Sequence, residues 1–306
     1  MAIIVHEENL ADRAATFAMR GFMALSAAPP VSPEGRPGYD ELMAKTPSPD
    51  GMEWTAGQVD GVPGWWCRPP DATPGAAILY LHGGCYVIGS ASAYRGLASQ
   101  IAARAMAATF VAEYRLAPEN PFPAAFEDAC RALDGMRTEG FPKVAVAGDS
   151  AGGGLGLAVL ASGAANTRAV AAAVFSPWID LALSGQTMES RKDVDPILSR
   201  RALQQAVDQY FPGGDPKDPR TNVMSGDLAT LPPIRIDVGD DEVLLDDSLR
   251  FHALADATRR PACDVHVWKG MLHVFPGNIA MLKAAAEALD GAGAFLRNAL
   301  GTERTA

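Results

Sequence analysis

Ser150 stands between two glycines in Gly148-Asp149-Ser150-Ala151-Gly152, and the chain's capacity for chemistry gathers around it. The apolar run Val144-Ala145-Val146-Ala147 precedes this stretch, and small apolar residues fill Ala151 to Gly163 after it. The run predicts a buried parallel strand, and the small-residue segment predicts a helix pressed against a sheet. Between them the chain must turn sharply, and a side chain at Gly148 or Gly152 would clash in so tight a turn. Such a turn lifts the serine hydroxyl to the top of a sheet, beside the unpaired N–H groups of a helix N-terminus. Glycine–x–serine–x–glycine by itself carries little in a chain with 30 glycines. Its weight comes from the strand and helix on either side.

A serine hydroxyl becomes nucleophilic when a base takes its proton and a third group fixes the base. Beyond Ser150 the histidines are His252, His266 and His273. His252 falls in a predicted helix and His266 inside a predicted strand. His273 follows that strand in a loop, where function collects in open α/β sheets. It is the expected base. The acid should follow the preceding strand, Ile234–Gly239, where Asp240, Asp241 and Glu242 come in succession. Strand logic leaves all three open. Glu242 is preferred because Val243-Leu244 can anchor it in a dry site, with Asp241 second. Asp246 and Asp247 read as first-turn acids that complement a helix dipole. An oxyanion needs preorganised N–H donors. Ala151 offers one, and Gly83 and Gly84 in His82-Gly83-Gly84-Cys85-Tyr86 are expected to offer the others.

These residues need elements to hold them. Strands are predicted at Glu53–Val59, Gly64–Arg68, Ala76–Leu81, Ala108–Tyr114, Ala169–Ser176, Pro233–Gly239 and Cys263–Trp268. Helices are predicted at Ser92–Arg104, Ala124–Arg137, Ser199–Tyr210, Leu245–Ala255 and Ala280–Leu300. An opening hairpin followed by strand–helix alternation predicts an α/β fold, a mostly parallel central sheet with helices on both faces. Residues 51–306 form the expected catalytic domain. Residues 1–50 carry helix-spaced Leu10, Ala14, Phe17, Ala18 and Phe22, then a proline-rich passage. They read as a helical arm laid over something else, not as a sheet layer. The alternation breaks at about 179–230, an insertion expected to complete a lid with the arm.

A chain of 306 residues with a net charge of −10 suits one α/β domain with a cap. The charge disfavours nucleic acid and an anionic membrane surface. No apolar run approaches a membrane span, and the first residues lack a basic leader. Cys67, Cys85, Cys130 and Cys263 show neither metal spacing nor disulfide density, so reduced thiols in a cytoplasmic protein are expected.

Together these residues resemble the bacterial hormone-sensitive-lipase-like family of α/β-hydrolases. The resemblance rests on Leu81–Tyr86, on Tyr114-Arg115-Leu116-Ala117-Pro118-Glu119 with Pro121–Ala125, and on Gly148–Gly153. Val238–Glu242 and Gly270–Phe275 complete it. It implies a serine carboxylic ester hydrolase for short- to medium-chain acyl esters, with no cofactor or metal, a small-molecule ester as partner, and a capped site. A homodimer is left open, and stable membrane association is not expected. Ser150, His273, Gly83, Gly84 and Ala151 carry over in the roles given above, and Tyr114–Ala125 as scaffold for the oxyanion loop.

Two positions depart from the family pattern. The family's acid is commonly the aspartate of Asp-Pro-Leu, and here the matching run is Glu242-Val243-Leu244. A third glycine usually follows His-Gly-Gly, and here it is Cys85, which with Tyr86 is expected to line the substrate pocket. The thiol reads as a small packed residue, or as a reactive one if its pKa is lowered. Lactone hydrolysis on the same triad is the alternative within this chemistry, and a silent ligand-binding scaffold the alternative outside it. An Asp-nucleophile hydrolase is disfavoured by Ser150. A long-chain lipase is disfavoured by the charged insertion.

Overall fold

A computed structural model describes residues 2–26, 28–215, 217–258 and 263–302. Its strands are β1 (Ile3–His6), β2 (Glu53–Val59), β3 (Val62–Arg68), β4 (Ala76–Leu81), β5 (Ala108–Ala112), β6 (Lys143–Asp149), β7 (Ala172–Phe175), β8 (Ile234–Gly239) and β9 (Cys263–Trp268). The helices are α1 (Leu10–Leu25), α2 (Arg36–Met43), α3 (Arg95–Ala105), α4 (Ala124–Thr138), α5 (Ser150–Ser162), α6 (Thr187–Ser190), α7 (Arg200–Tyr210), α8 (Leu245–Ala257) and α9 (Lys283–Leu300).

All the strands join one nine-stranded sheet in the order β1-β9-β8-β7-β6-β4-β5-β3-β2. Pairing is parallel from β1 to β5, and antiparallel only where β3 meets β5 and β2. The central strands β4 and β7 are buried along their whole length, as a parallel sheet covered on both faces requires. One face packs against α4, α5 and α8, the other against α3 and α9. Because the parallel strands share a direction, the loops after β4, β6, β7, β8 and β9 all leave at one edge. That edge carries the site.

Two expectations for the N-terminal arm are corrected. Residues 3–6 do form a sheet strand: β1 pairs parallel with β9, Ile3 opposite Val265 and His6 opposite Trp268. Ile3-Ile4-Val5 is a β-branched run, but it is short and its partners lie at the far end of the chain, so nothing nearby marks it as a sheet strand. The apolar stripe of α1 also points the wrong way. Leu10, Phe17 and Phe22 face solvent, while Asp12, Thr16 and Met19 face the body. Polar bonds set this orientation. Asn9 caps α1 by accepting the Asp12 N–H at 2.9 Å, and the Asp12 carboxylate accepts the Lys283 and Ala284 N–H groups at 2.7 and 2.9 Å. The buried Asp12 thus caps α9 from a different helix.

Candidate active site

β6 runs extended to Asp149, and Ser150 then turns into the left-handed region at φ 50° as α5 begins. A non-glycine residue held there costs on the order of 1 kcal/mol, so the surroundings must enforce it. A Cβ on Gly148 would lie 2.6 Å from the Leu81 carbonyl oxygen, and one on Gly152 2.1 Å from the same atom. Both glycines are there to let β4 pass, and the Ser150 hydroxyl is pushed up at the sheet edge.

His273 Nε2 lies 3.0 Å from Ser150 Oγ, and His273 Nδ1 lies 2.7 Å from Glu242 Oε2. All three side chains are buried. The other carboxylate oxygen, Oε1, accepts the Gly239 N–H at 2.7 Å and the Ser176 hydroxyl at 2.8 Å. Ser176 in turn accepts the Val274 N–H at 3.1 Å, which fixes the loop bearing His273. With three donors around it, Glu242 is an acceptor that cannot rotate away. Burial alone would lower the His273 pKa. The Glu242 carboxylate, with Asp195 and Asp149 behind it, outweighs burial and holds the imidazole above its ordinary value.

The other two carboxylates after β8 turn elsewhere. Asp241 accepts Arg20 Nη2 at 2.6 Å, and Asp240 accepts the Gly270 N–H at 2.7 Å and pairs with Lys269 at 3.0 Å. His252 Nδ1 faces the Cys263 carbonyl at 2.9 Å, and His266 Nδ1 faces His6 Nε2 at 2.8 Å. The acid loop is also held from the insertion. The Val243 N–H donates to Asp195 at 2.9 Å, and the Thr187 hydroxyl donates to the Val243 carbonyl at 2.6 Å.

After β4 the chain bends through Gly84 (φ 110°), Cys85 (φ 56°) and Tyr86 (φ 63°). A Cβ on Gly84 would lie 2.1 Å from the Ile88 carbonyl oxygen, so only glycine fits there. The expectation that Gly83 offers its N–H to an oxyanion is corrected. That group donates to Asp149 Oδ1 at 3.1 Å. Among the described residues, the Gly84 and Cys85 N–H groups have no hydrogen-bond acceptor. Ala151 is the second residue of α5, so its N–H has no intrahelical partner. The expected scaffold stretch holds the loop from below. Tyr114 donates to the His82 carbonyl at 2.6 Å, and the Ala117 N–H donates to the Tyr86 carbonyl at 2.9 Å. Arg36 adds a bond to the Val87 carbonyl at 2.9 Å.

Burial pushes the Cys85 thiol up to about 12, which leaves it a small packed group and not a thiolate. Tyr86 is buried too, its ring stacked on Tyr210 of α7 with centroids 3.9 Å apart and planes at 2°. Two functional neighbours escaped the sequence reading. Ser176 sits at the carboxyl end of β7, a position that could have flagged it. Asp149 is a charged residue at the end of an apolar run. It accepts from Tyr80 at 2.7 Å, Gly83 at 3.1 Å and Tyr94 at 3.1 Å, yet burial still raises its pKa to about 6. Among the described residues, no group of three or more His, Cys, Asp or Glu side chains is placed to hold a metal ion.

The arrangement has known counterparts. Residues 78–277 match the sequence profile of a family with the alpha/beta hydrolase fold. An acetyl-hydrolase of Streptomyces hygroscopicus is 41% identical over 242 residues, which span 77% of this chain and 80% of that protein. The crystal structure of an esterase from the bacterial hormone-sensitive lipase family superposes with a TM-score of 0.89 at 32% identity, covering 96% of this chain and all of that one. An esterase/lipase from an uncultured bacterium gives 0.85 at 34% identity, over 94% of this chain and 99% of its own. By profile, sequence and architecture, this chain belongs to the bacterial hormone-sensitive-lipase-like family of α/β-hydrolases.

Proposed function

We propose that the protein is a serine carboxylesterase that hydrolyses short- to medium-chain acyl esters through an acyl-enzyme on Ser150. The observation that carries this reading is the continuous hydrogen-bonded line from Ser150 Oγ through His273 to Glu242. In the first half-reaction Ser150 Oγ attacks the ester carbonyl while His273 Nε2 takes its proton. The tetrahedral oxyanion is met by the N–H groups of Gly84, Cys85 and Ala151. Collapse expels the alcohol, which leaves with the proton from His273. Water then attacks the acyl-enzyme with the same base, and the acid departs. Glu242 fixes the imidazole tautomer with Nδ1 protonated and stabilises the imidazolium.

A preference for small acyl groups is supported by the acetyl-hydrolase relative and by the aromatic packing of Tyr86, Tyr210 and Trp178 beside the oxyanion loop. The arm and the insertion act together as the cap. Arg20 binds the Val194 carbonyl, and Gln209 donates to the Val31 carbonyl at 3.0 Å. The four free cysteines support a reducing cytoplasmic setting, and no described helix is long and apolar enough to cross a membrane. The test is labelling with a p-nitrophenyl phosphonate, followed by peptide mapping. The expected result is one adduct, on Ser150, with stoichiometric loss of p-nitrophenyl acetate hydrolysis. In Ser150→Ala both adduct and turnover vanish while the far-ultraviolet circular dichroism stays unchanged. Turnover that survives in this variant would end the serine reading.

A further inference from the structure

The backbone directly after Glu242 is gripped by residues from outside the sheet. The Val243 N–H donates to Asp195 Oδ2 at 2.9 Å, and the Val243 carbonyl accepts the Thr187 hydroxyl at 2.6 Å. Thr187 Oγ1 also accepts the Asp246 N–H at 3.0 Å. The other Asp195 oxygen, Oδ1, accepts the Ile197 and Leu198 N–H groups at 2.8 and 2.9 Å, which folds its own turn. One carboxylate thus ties the turn after α6 to the backbone of Glu242. Asp195 is buried, and among the described residues no lysine or arginine pairs with it. A buried carboxylate without a cation is costly unless a positive charge comes within reach. Burial raises the Asp195 pKa, and the charge that most opposes this rise is that of His273. In the acyl-enzyme route that charge exists only between one proton transfer and the next.

We propose that Asp195 is a positioning residue of the ester hydrolysis, a role that rests on the acyl-enzyme reading and adds a group which that reading does not use. It holds the Glu242 backbone in register with His273, and its charge favours the imidazolium. Geometry argues first. The Val243 N–H belongs to the planar Glu242–Val243 peptide, so fixing it fixes the plane from which the Glu242 side chain departs. Gly239 and Ser176 hold the far end of that side chain through Oε1. Asp195 holds the near end, which leaves Oε2 in line with His273 Nδ1 at 2.7 Å. Electrostatics argues second. The charged groups facing His273 are Glu242 after β8, Asp195 after α6 and Asp149 at the end of β6. Glu242 touches the ring, and the other two act on it through a dry interior, where a charge is felt further than in water.

Two substitutions separate grip from charge. In Asp195→Asn the volume is kept and the charge is lost. Whichever way the amide is turned, its NH2 group meets either the Val243 N–H or the two turn N–H groups, donor to donor. Thr187→Val is the complement. It removes the donor to the Val243 carbonyl and leaves the Asp195 charge in place.

Steady-state kinetics with p-nitrophenyl acetate across pH is the test, with circular dichroism as a check on folding. Asp195→Asn is expected to lower kcat by about tenfold to a hundredfold, the scale of a misplaced catalytic group, with KM within about twofold. The acid limb of kcat/KM is expected to move to lower pH, because an imidazole relieved of a nearby anion loses its proton more easily. Thr187→Val is expected to lower kcat by about threefold to tenfold with the limb unmoved. Asp195→Ser keeps an acceptor for the turn, loses the charge, and carries the test if Asp195→Asn does not fold. A merely structural role would lower the melting temperature and leave kcat and the limb of the folded enzyme where they are, and that result overturns the proposal. A lowered kcat with an unmoved limb in Asp195→Asn overturns the role of the charge. Phosphonate mapping keeps this failure apart from failure of the acyl-enzyme reading. An adduct on Ser150 in the wild type, with unchanged kinetics in the Asp195 variants, sinks the Asp195 role alone, and an adduct elsewhere sinks both.

Discussion

Asp149 links the two halves of the site, although it touches neither the base nor the place where an ester would sit. Its carboxylate holds the Gly83 N–H, and so fixes where the next two N–H groups, those of Gly84 and Cys85 proposed as oxyanion donors, point. Tyr94 extends the link to Tyr39 on α2, hydroxyl to hydroxyl at 2.7 Å. The negative charge also helps to raise the His273 pKa. Asp149→Asn is therefore expected to lower kcat by about tenfold or more, the scale of a disturbed oxyanion site. It should also move the acid limb of kcat/KM to lower pH. The base must be neutral to accept the serine proton, and an imidazole relieved of a nearby anion loses its own proton more easily. A pH–rate profile with the limb unmoved would show that Asp149 acts on loop geometry alone. At this scale residue type and spacing were enough to single out Ser150, His273 and Glu242, whose side chains the fold brings into one hydrogen-bonded line. Gly83 was misread because the fate of its N–H depends on Asp149, a position the motif leaves blank.

Among the elements, β1 was the least legible. Its pairing depends on a strand more than two hundred residues away and on an imidazole contact between them. His6 Nε2 and His266 Nδ1 stand 2.8 Å apart, and His6 stacks on Trp268 at 3.7 Å. One nitrogen must donate and the other accept, so the two rings cannot both be protonated. Burial lowers the pKa of His6 and takes His266 down to about 4. Between pH 6.5 and 4 the unfolded chain then binds more protons than the folded one, and stability from this pair drains away as pH falls through that window. Asp149 and Asp247, raised by burial to about 6 and about 7, work in the opposite sense, since they favour the folded state as pH falls. The informative quantity is thus a difference. His266→Gln should lose less stability than the wild type between pH 7 and pH 4.5 in urea melts. Parallel curves for the two proteins would rule out the histidine pair as an acid-sensitive joint.

For the whole molecule, the strand–helix alternation made the sheet and its two helical layers readable, because each segment carries its own periodicity. How residues 1–50 meet residues 179–230 was not readable, because the two are stitched by side chains reaching across the chain. Arg20 is the central stitch, joining α1 to the Val194 carbonyl and to Asp241 beside Glu242. This position explains why Asp241 and Glu242, adjacent in sequence, have different work. Asp241 faces the arm and holds the assembly together. Glu242 faces His273, and in the proposed mechanism it belongs to the chemistry. Arg20→Ala and Asp241→Asn should each cost about 1 kcal/mol of stability, as expected for a partly exposed ion pair with good geometry. They should leave kcat within a few-fold, and the double variant should cost little more than Arg20→Ala alone, because that change already removes the ion pair together with the Val194 bond. Glu242→Gln should cut kcat by about 10³–10⁴-fold, since an amide cannot hold the protonated tautomer or stabilise the imidazolium. Chemical melts and single-substrate kinetics on the four variants separate the two roles. If Asp241→Asn abolished turnover while Glu242→Gln kept it, the arm would be gripping the catalytic acid itself, and the division of labour drawn from the two carboxylates would fall.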